Sequence, residues 1–174
     1  MKHYVTGSFP NRVPGVYLSD AEYAILLDNV VKGCADVLLL NGANVLLAKR
    51  NVEPQPGWWF IGGRMRPGET PQEAAARHVQ HDLGLLLEPS EFNFLTVASY
   101  VWGRRKQLPE INGTADVALI FSVVVVDSDA TRITNRNETE YSAICWRPLR
   151  EASEDSTLHP ALRDAIMKVA QVVQ

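Results

Sequence analysis

Gly63-Arg64-Met65-Arg66-Pro67-Gly68-Glu69-Thr70-Pro71-Gln72-Glu73-Ala74-Ala75-Ala76-Arg77-His78-Val79-Gln80-His81-Asp82-Leu83-Gly84-Leu85 opens on a glycine turn and runs into a helix with both ends written into it. Thr70-Pro71-Gln72-Glu73 combines a capping threonine, proline at the first helical position and glutamate three residues after the cap. That combination satisfies free N–H groups of a first turn and pre-sets its backbone, so the spacing predicts a helix from there. Helix formers continue from Ala74 to Leu83, and Gly84 supplies the left-handed residue that commonly stops a helix. Ala75, Val79 and Leu83, at four-residue spacing, make a face for the core. Arg77, His78, His81 and Asp82 fall on the other side and are expected to converge beside the glycine turn, as a phosphate site short of acid.

Upstream, the first eighteen residues hold Pro10, Pro14 and two glycines, too much punctuation for a regular element, and residues 1–18 read as an N-terminal arm. Ser19-Asp20-Ala21-Glu22 is a second capping box, opening a helix to about Val31 with Tyr23, Leu26, Leu27 and Val30 on its apolar side. Apolar runs over 35–40 and 44–49 meet at Asn41-Gly42, the commonest short hairpin signal. Trp58-Trp59-Phe60-Ile61 leads into the glycine turn.

Downstream come strand-like runs over 92–102, 117–127 and 142–147. A polar connection over 103–114 carries Arg104-Arg105-Lys106, read as a solvated tip, and a polar loop runs to Glu140. The last helix is expected from Pro160 to about Val173, with Leu162, Ile166, Val169 and Val173 on one side. Strands and helices interleave, but the hairpin excludes an all-parallel sheet. Residues 19–174 therefore read as one α/β domain, a mixed sheet flanked by helices.

Among 174 residues, 46% are hydrophobic and 21% charged, a globular composition sized for one core. A formal charge of -3 argues against a general nucleic-acid or membrane surface and leaves anion binding to a local basic cluster. The longest apolar run, Val117 to Val126, falls short of the roughly 20 residues a spanning helix needs and reads as a buried strand. Cys34 and Cys145 lie in apolar runs and make no disulfide framework, and Met1-Lys2-His3-Tyr4-Val5 lacks the apolar core of a signal peptide. A reduced, cytoplasmic protein is the expectation.

The central stretch resembles the Nudix box, the signature of hydrolases acting on nucleoside diphosphates linked to another moiety. Its pattern is Gly, five residues, Glu, seven residues, then Arg-Glu-aliphatic-any-Glu-Glu-any-Gly-aliphatic. Gly63, Glu69, Arg77, Val79, Gly84 and Leu85 match, while His78, His81 and Asp82 stand where the pattern has glutamate. Ala48-Lys49-Arg50, Pro54, Gly57, Trp59-Phe60 and Gly62-Gly63-Arg64, continued by the box, resemble the GDP-mannose mannosyl hydrolase branch, over about residues 17–87.

This resemblance implies a Nudix-type α/β/α sandwich with the box helix packed on a mixed sheet. It implies one divalent ion, Mg2+ with Mn2+ as the alternative, held by the Gly63 backbone and Asp82, with Glu69 assisting through water. It also implies that Arg77 steadies the box. The mannosyl hydrolase branch has few box carboxylates, keeps an acid at the position of Asp82 and displaces at the sugar carbon. Its base is a histidine on a later loop; this chain has none between His81 and His159, leaving Asp116 or Glu110 as substitutes.

A diphosphate repels nucleophiles, so its hydrolysis needs cations on the oxygens and a base or metal to sharpen water. Imidazole at His81 would shift the ion preference toward manganese or zinc. His78 or His81, near pKa ~6.5, could serve as general base; the plain alternative is that both are solvated surface residues. Glu73, one turn before Arg77, is placed to hold its guanidinium by an ion pair. Arg64 projects from the turn that meets phosphates and suits bidentate contact, with Lys49 and Arg50 as further substrate contacts. Trp59 and Phe60 could stack on a base or sugar, although aromatics beside a core strand more often pack.

The leading expectation is a metal-dependent hydrolase of nucleotide sugars or related nucleoside diphosphate derivatives. The alternatives are an ADP-ribose-type pyrophosphatase attacking phosphorus and a catalytically weak nucleotide-binding sensor. The partner expected is a small nucleoside diphosphate derivative, with no nucleic acid and no membrane. The Pro-rich arm before Ser19 has no evident partner within its own chain, which makes a homodimer a further expectation.

Overall fold

Ser19 Oγ accepts from the Glu22 amide, and Glu22 accepts from the Ser19 amide, so the first capping box closes and starts α1 (Asp20–Asn29). α1 stops short of Val31 because Val30 turns extended, the conformation that β-branched residues favour. Of the side chains expected to face the core, Leu27 is buried and Val30 is exposed. The structure, a computed structural model, describes residues 2–7 and 18–172. Of the expected arm, residues 1 and 8–17 lie outside the described residues, as does Val173 at the far end.

β1 (Lys32–Asn41) and β2 (Asn44–Arg50) form the hairpin, with Gly42 at a φ of +54° in its turn. β3 (Gly57–Trp59), β4 (Ile61–Arg64) and α2 (Pro71–Leu83) follow, then β5 (Asn93–Trp102) and β6 (Thr114–Val124). A short α3 (Asp127–Ala130), β7 (Tyr141–Pro148), α4 (Leu149–Glu154) and α5 (Pro160–Val172) complete the described chain. The strands run β3-β2-β1-β6-β5, with β4 on β1 and β7 on β2. β1 and β6 are parallel and the other pairs antiparallel, the mixed sheet expected.

Side-chain alternation along β1 divides the core between two faces. Leu38 and Leu40 pack with Leu162, Ile166 and Val169 of α5. Ala35, Val37 and Leu39 pack with Ala75, Val79 and Leu83 of α2, the helix face the spacing predicts. Burying a side chain the size of Val79 or Leu83 contributes about 1.5–3 kcal/mol, so this face decides where α2 docks. α2 and α5 thus sandwich the sheet. The apolar run expected as a buried strand is buried only in part: β6 starts earlier, Ala118, Ile120, Phe121 and Val123 are buried, and Val117, Val124 and Val126 are exposed. No helix of the described residues is long and apolar enough to cross a membrane, and both cysteines are free.

β2 pairs with β1 only near their shared turn, and β4 takes its place at Cys34–Val37. That exchange needs glycine: a Cβ on Gly62 would stand 2.3 Å from the Ala35 carbonyl oxygen. α5 covers the β1–β6 face at Leu38 and Ile120, and the same face opens into a cleft at Lys32, Asp36 and Asp116.

Candidate active site

The cleft encloses about 430 Å³ and draws its walls from segments distant in the chain. Gly62, Gly63, Arg64 and His78 line one side, Trp59, Tyr100 and Trp102 line another, and Arg50, Glu140 and Tyr141 come from the β2–β7 pair. Loop residues Glu53 and Lys106 stand at its margin.

Thr70 caps α2 and Gly84, at a φ of +72°, ends it. Glu73 accepts from the Thr70 amide and hydroxyl at 2.7 and 2.8 Å. Its expected ion pair with Arg77 is therefore corrected: Glu73 serves the cap, and Glu69 takes Arg77 in a fork of 2.5 and 2.8 Å. Burial pushes the Glu69 carboxyl up, but the Arg77 guanidinium and the Arg66 amide outweigh it and hold it below the usual range. Arg77 Nη2 also donates to the Arg64 carbonyl at 3.1 Å. His78 Nε2 lies 3.2 Å from the same oxygen, and because a carbonyl only accepts, Nε2 carries the hydrogen. Burial, then the Arg77 charge, lowers the His78 pKa, leaving the ring neutral. Helix α2 thus pins the backbone of the residue expected to meet phosphate, and the His78 ring packs against Gly63, where a Cβ would stand 3.0 Å from Cε1.

The four polar residues of α2 separate into two pairs instead of converging on the glycine turn. Arg77 and His78 serve the turn; His81 and Asp82 face the loop before β7. Asp82 is 2% exposed, and its Oδ1 accepts from His81 Nδ1 at 2.7 Å and from Asn137 Nδ2 at 2.8 Å. The His81 ring is 69% exposed and lies outside the cleft lining, so the solvated reading describes it better than it describes His78. Asn137 Nδ2 also reaches Glu140 Oε2 at 3.5 Å, and Glu140 Oε1 pairs with Arg50 at 3.0 Å. Burial raises the Glu140 pKa, Arg50 opposes it and the Asp82 charge adds to it. Among the described residues no three His, Cys, Asp or Glu side chains group to hold a metal.

Asp36, 6% exposed, is one of two buried aspartates that line the cleft, the other being Asp116. Burial pushes the Asp36 pKa up to about 7 against the lowering pull of Arg50. Asp116 also lies in the cleft, but Lys32 Nζ at 2.6 Å and Trp102 Nε1 at 2.8 Å occupy its oxygens. Glu110 pairs with Arg104 and is not among the cleft residues.

Of the expected substrate contacts, Arg64, Arg50 and Trp59 line the cleft. Lys49 is exposed and Phe60 fully buried, and neither reaches it, whereas Arg50, at the shift in β2–β7 register between Lys49 and Arg50, does. Trp59 packs edge-on against Phe60, Tyr100 and Trp102 within the core, so the packing reading holds for most of this aromatic group. Sequence reasoning missed Asp36, Asn137 and Glu140. Asp36 carried a signal, a lone acid inside an apolar strand run; the other two sit in a polar loop without one.

The family model described as NUDIX domain matches residues 32–169. A Caenorhabditis elegans protein named "Putative nudix hydrolase 1" is 33% identical over 97 residues, 53% of this chain and 27% of that protein. The chain thus spans about a quarter of the length of the curated relative it matches. Among solved structures, the MutT NUDIX hydrolase from Burkholderia pseudomallei superposes with a TM-score of 0.66 at 21% identity, covering 81% of this chain and 99% of that one. A C. elegans Ap4A hydrolase binary complex gives 0.61 at 13% identity, covering 82% and 98%. At these identities the likeness shows the fold. The family match extends over most of the cleft-forming chain, from β1 to within α5, and the chain belongs to the NUDIX domain family.

Proposed function

We propose that the cleft hydrolyses a small nucleoside diphosphate derivative, a nucleotide sugar before others, with a divalent ion beside Asp82. One observation carries the reading: the Arg64 turn, the buried Asp36 carboxyl and Glu140, joined to Asp82 by Asn137, meet around a single cleft. Nudix hydrolases generally use divalent ions such as Mg2+. The donors fit one hydrated ion, since Mg2+ keeps several waters and needs only one or two carboxylates. Asp82 Oδ2 makes no hydrogen bond among the described residues, and Glu140 is the neighbouring carboxylate. Such an ion would neutralise diphosphate charge and lower the pKa of water.

The chain's own groups do the rest. Arg64 and Arg50 suit paired contacts to phosphate oxygens. Asp36, titrating near neutrality, can take the proton of the attacking water. Trp102, half-buried in the cleft wall, presents aromatic surface for a base or sugar ring.

Turnover of a panel of nucleotide sugars and ADP-ribose in 18O-labelled water, with Mg2+ or Mn2+, tests this. Label in the released sugar marks attack at carbon; label in the phosphate marks attack at phosphorus and the ADP-ribose-type reading. A nucleotide-binding sensor is the second reading, favoured by the lack of a three-donor metal group among the described residues. Binding without any product would establish it.

A further inference from the structure

Arg105 is 1% exposed, although its loop reads as a solvated tip. Its Nη1 donates to Asp28 Oδ1 at 2.7 Å and to the Gly113 carbonyl at 3.2 Å, and its Nε to the Gln107 carbonyl at 3.1 Å. Asp28, near the end of α1, accepts a second bond from Asn112 at 3.1 Å, and Gln107 reaches Asp20 at the helix start at 3.3 Å. α1 itself buries only Ala24 and Leu27, so these polar links from the 103–114 loop supply much of what fixes it. Between the two attachment points stands Tyr23, whose ring centroid is 5.0 Å from the Arg64 guanidinium carbon. A ring face attracts a guanidinium and limits the rotamers of a long, otherwise free side chain.

We infer that Arg105, acting through Asp28 and α1, positions Tyr23 and so sets the direction of the Arg64 guanidinium in the cleft. Arg105 also lines the cleft, with Nη2 unpartnered among the described residues, so its role as a positioning residue is read from the Arg64 side chain in the ligand-free protein. The inference rests on the proposed reading of Arg64 as a diphosphate contact. It places control of that contact in two segments outside the glycine turn and its helix.

The test pairs a structural readout with a binding one. The first is the Arg64 side-chain N–H resonance, displaced by the Tyr23 ring. The second is affinity for GDP and for guanosine in Mg2+. In Arg105→Met and Asp28→Asn the resonance should move toward its position in Tyr23→Leu. GDP affinity should fall roughly 5-fold to 10-fold, guanosine affinity should hold, and neither change should add to Arg64→Met. Asp28 is partly exposed, so Asp28→Asn keeps the test open where Arg105→Met does not fold. An unchanged Arg64 resonance in Asp28→Asn overturns the inference whatever the affinities. A moved resonance together with wild-type GDP affinity in Arg64→Met supports the positioning and overturns the diphosphate reading of Arg64.

Discussion

Asn137 Nδ2 donates to Asp82 Oδ1 at 2.8 Å, tying the end of α2 to the loop that delivers Glu140. Partners that orient a metal-ligating carboxylate typically change metal affinity by about 10–100-fold when removed. Asn137→Ala should weaken Mn2+ binding by that range in titration calorimetry, with little effect on the fold. Unaltered Mn2+ affinity would detach this joint from metal binding.

Folding raises the Asp36 pKa from the usual carboxylate range to about 7. Between those values the folded protein holds a proton that the unfolded chain has released, so stability falls as pH rises and levels off above about 7. Urea unfolding from pH 5 to pH 8 should show this fall in the wild type and a smaller one in Asp36→Asn. Equal slopes in both would mean that Asp36 is not the titrating group.

The two carboxylates before Arg77 should separate in their effects. Glu69→Gln removes the charged partner of a partly buried guanidinium and should cost about 1–3 kcal/mol. Glu73→Ala removes half of a capping box and should cost about 0.5–1.5 kcal/mol. Double-mutant cycles with Arg77→Met should find coupling for Glu69 and none for Glu73. Coupling at Glu73 would restore the ion pair that the spacing predicts.

A Cβ at Gly62 would meet backbone, the Ala35 oxygen at 2.3 Å, and the Asp36 Oδ1 at 2.7 Å. Backbone cannot swing aside, so Gly62→Ala should cost about 3 kcal/mol or more and displace Asp36. Chemical denaturation measures it; a loss under 1 kcal/mol would mean β4 does not need this close approach.

Local rules made α2 legible, because its cap, its apolar spacing and its terminal glycine all lie within one stretch. They paired Arg77 with Glu73, one turn away, because nothing in the spacing shows that the cap occupies Glu73 and leaves Glu69 to take the guanidinium. Asp36 was visible as an acid in an apolar strand but acquires meaning only when β4 and Arg50 enclose it. Nothing near Glu140 marks it; the β2–β7 pairing of Arg50 with Tyr141 brings it to the cleft. Arg105 looked solvated because its partner, Asp28, lies in α1, far away in sequence.

In the proposed reading, hydrolysis at this cleft depends on Asp82. Steady-state turnover of a nucleotide sugar in Mg2+ by Asp82→Ala, set beside the wild type, measures that dependence directly. A loss of about 100-fold or more, with the fold intact, is the expected result. Wild-type turnover in Asp82→Ala would contradict the assignment of the metal and of the reaction to this site.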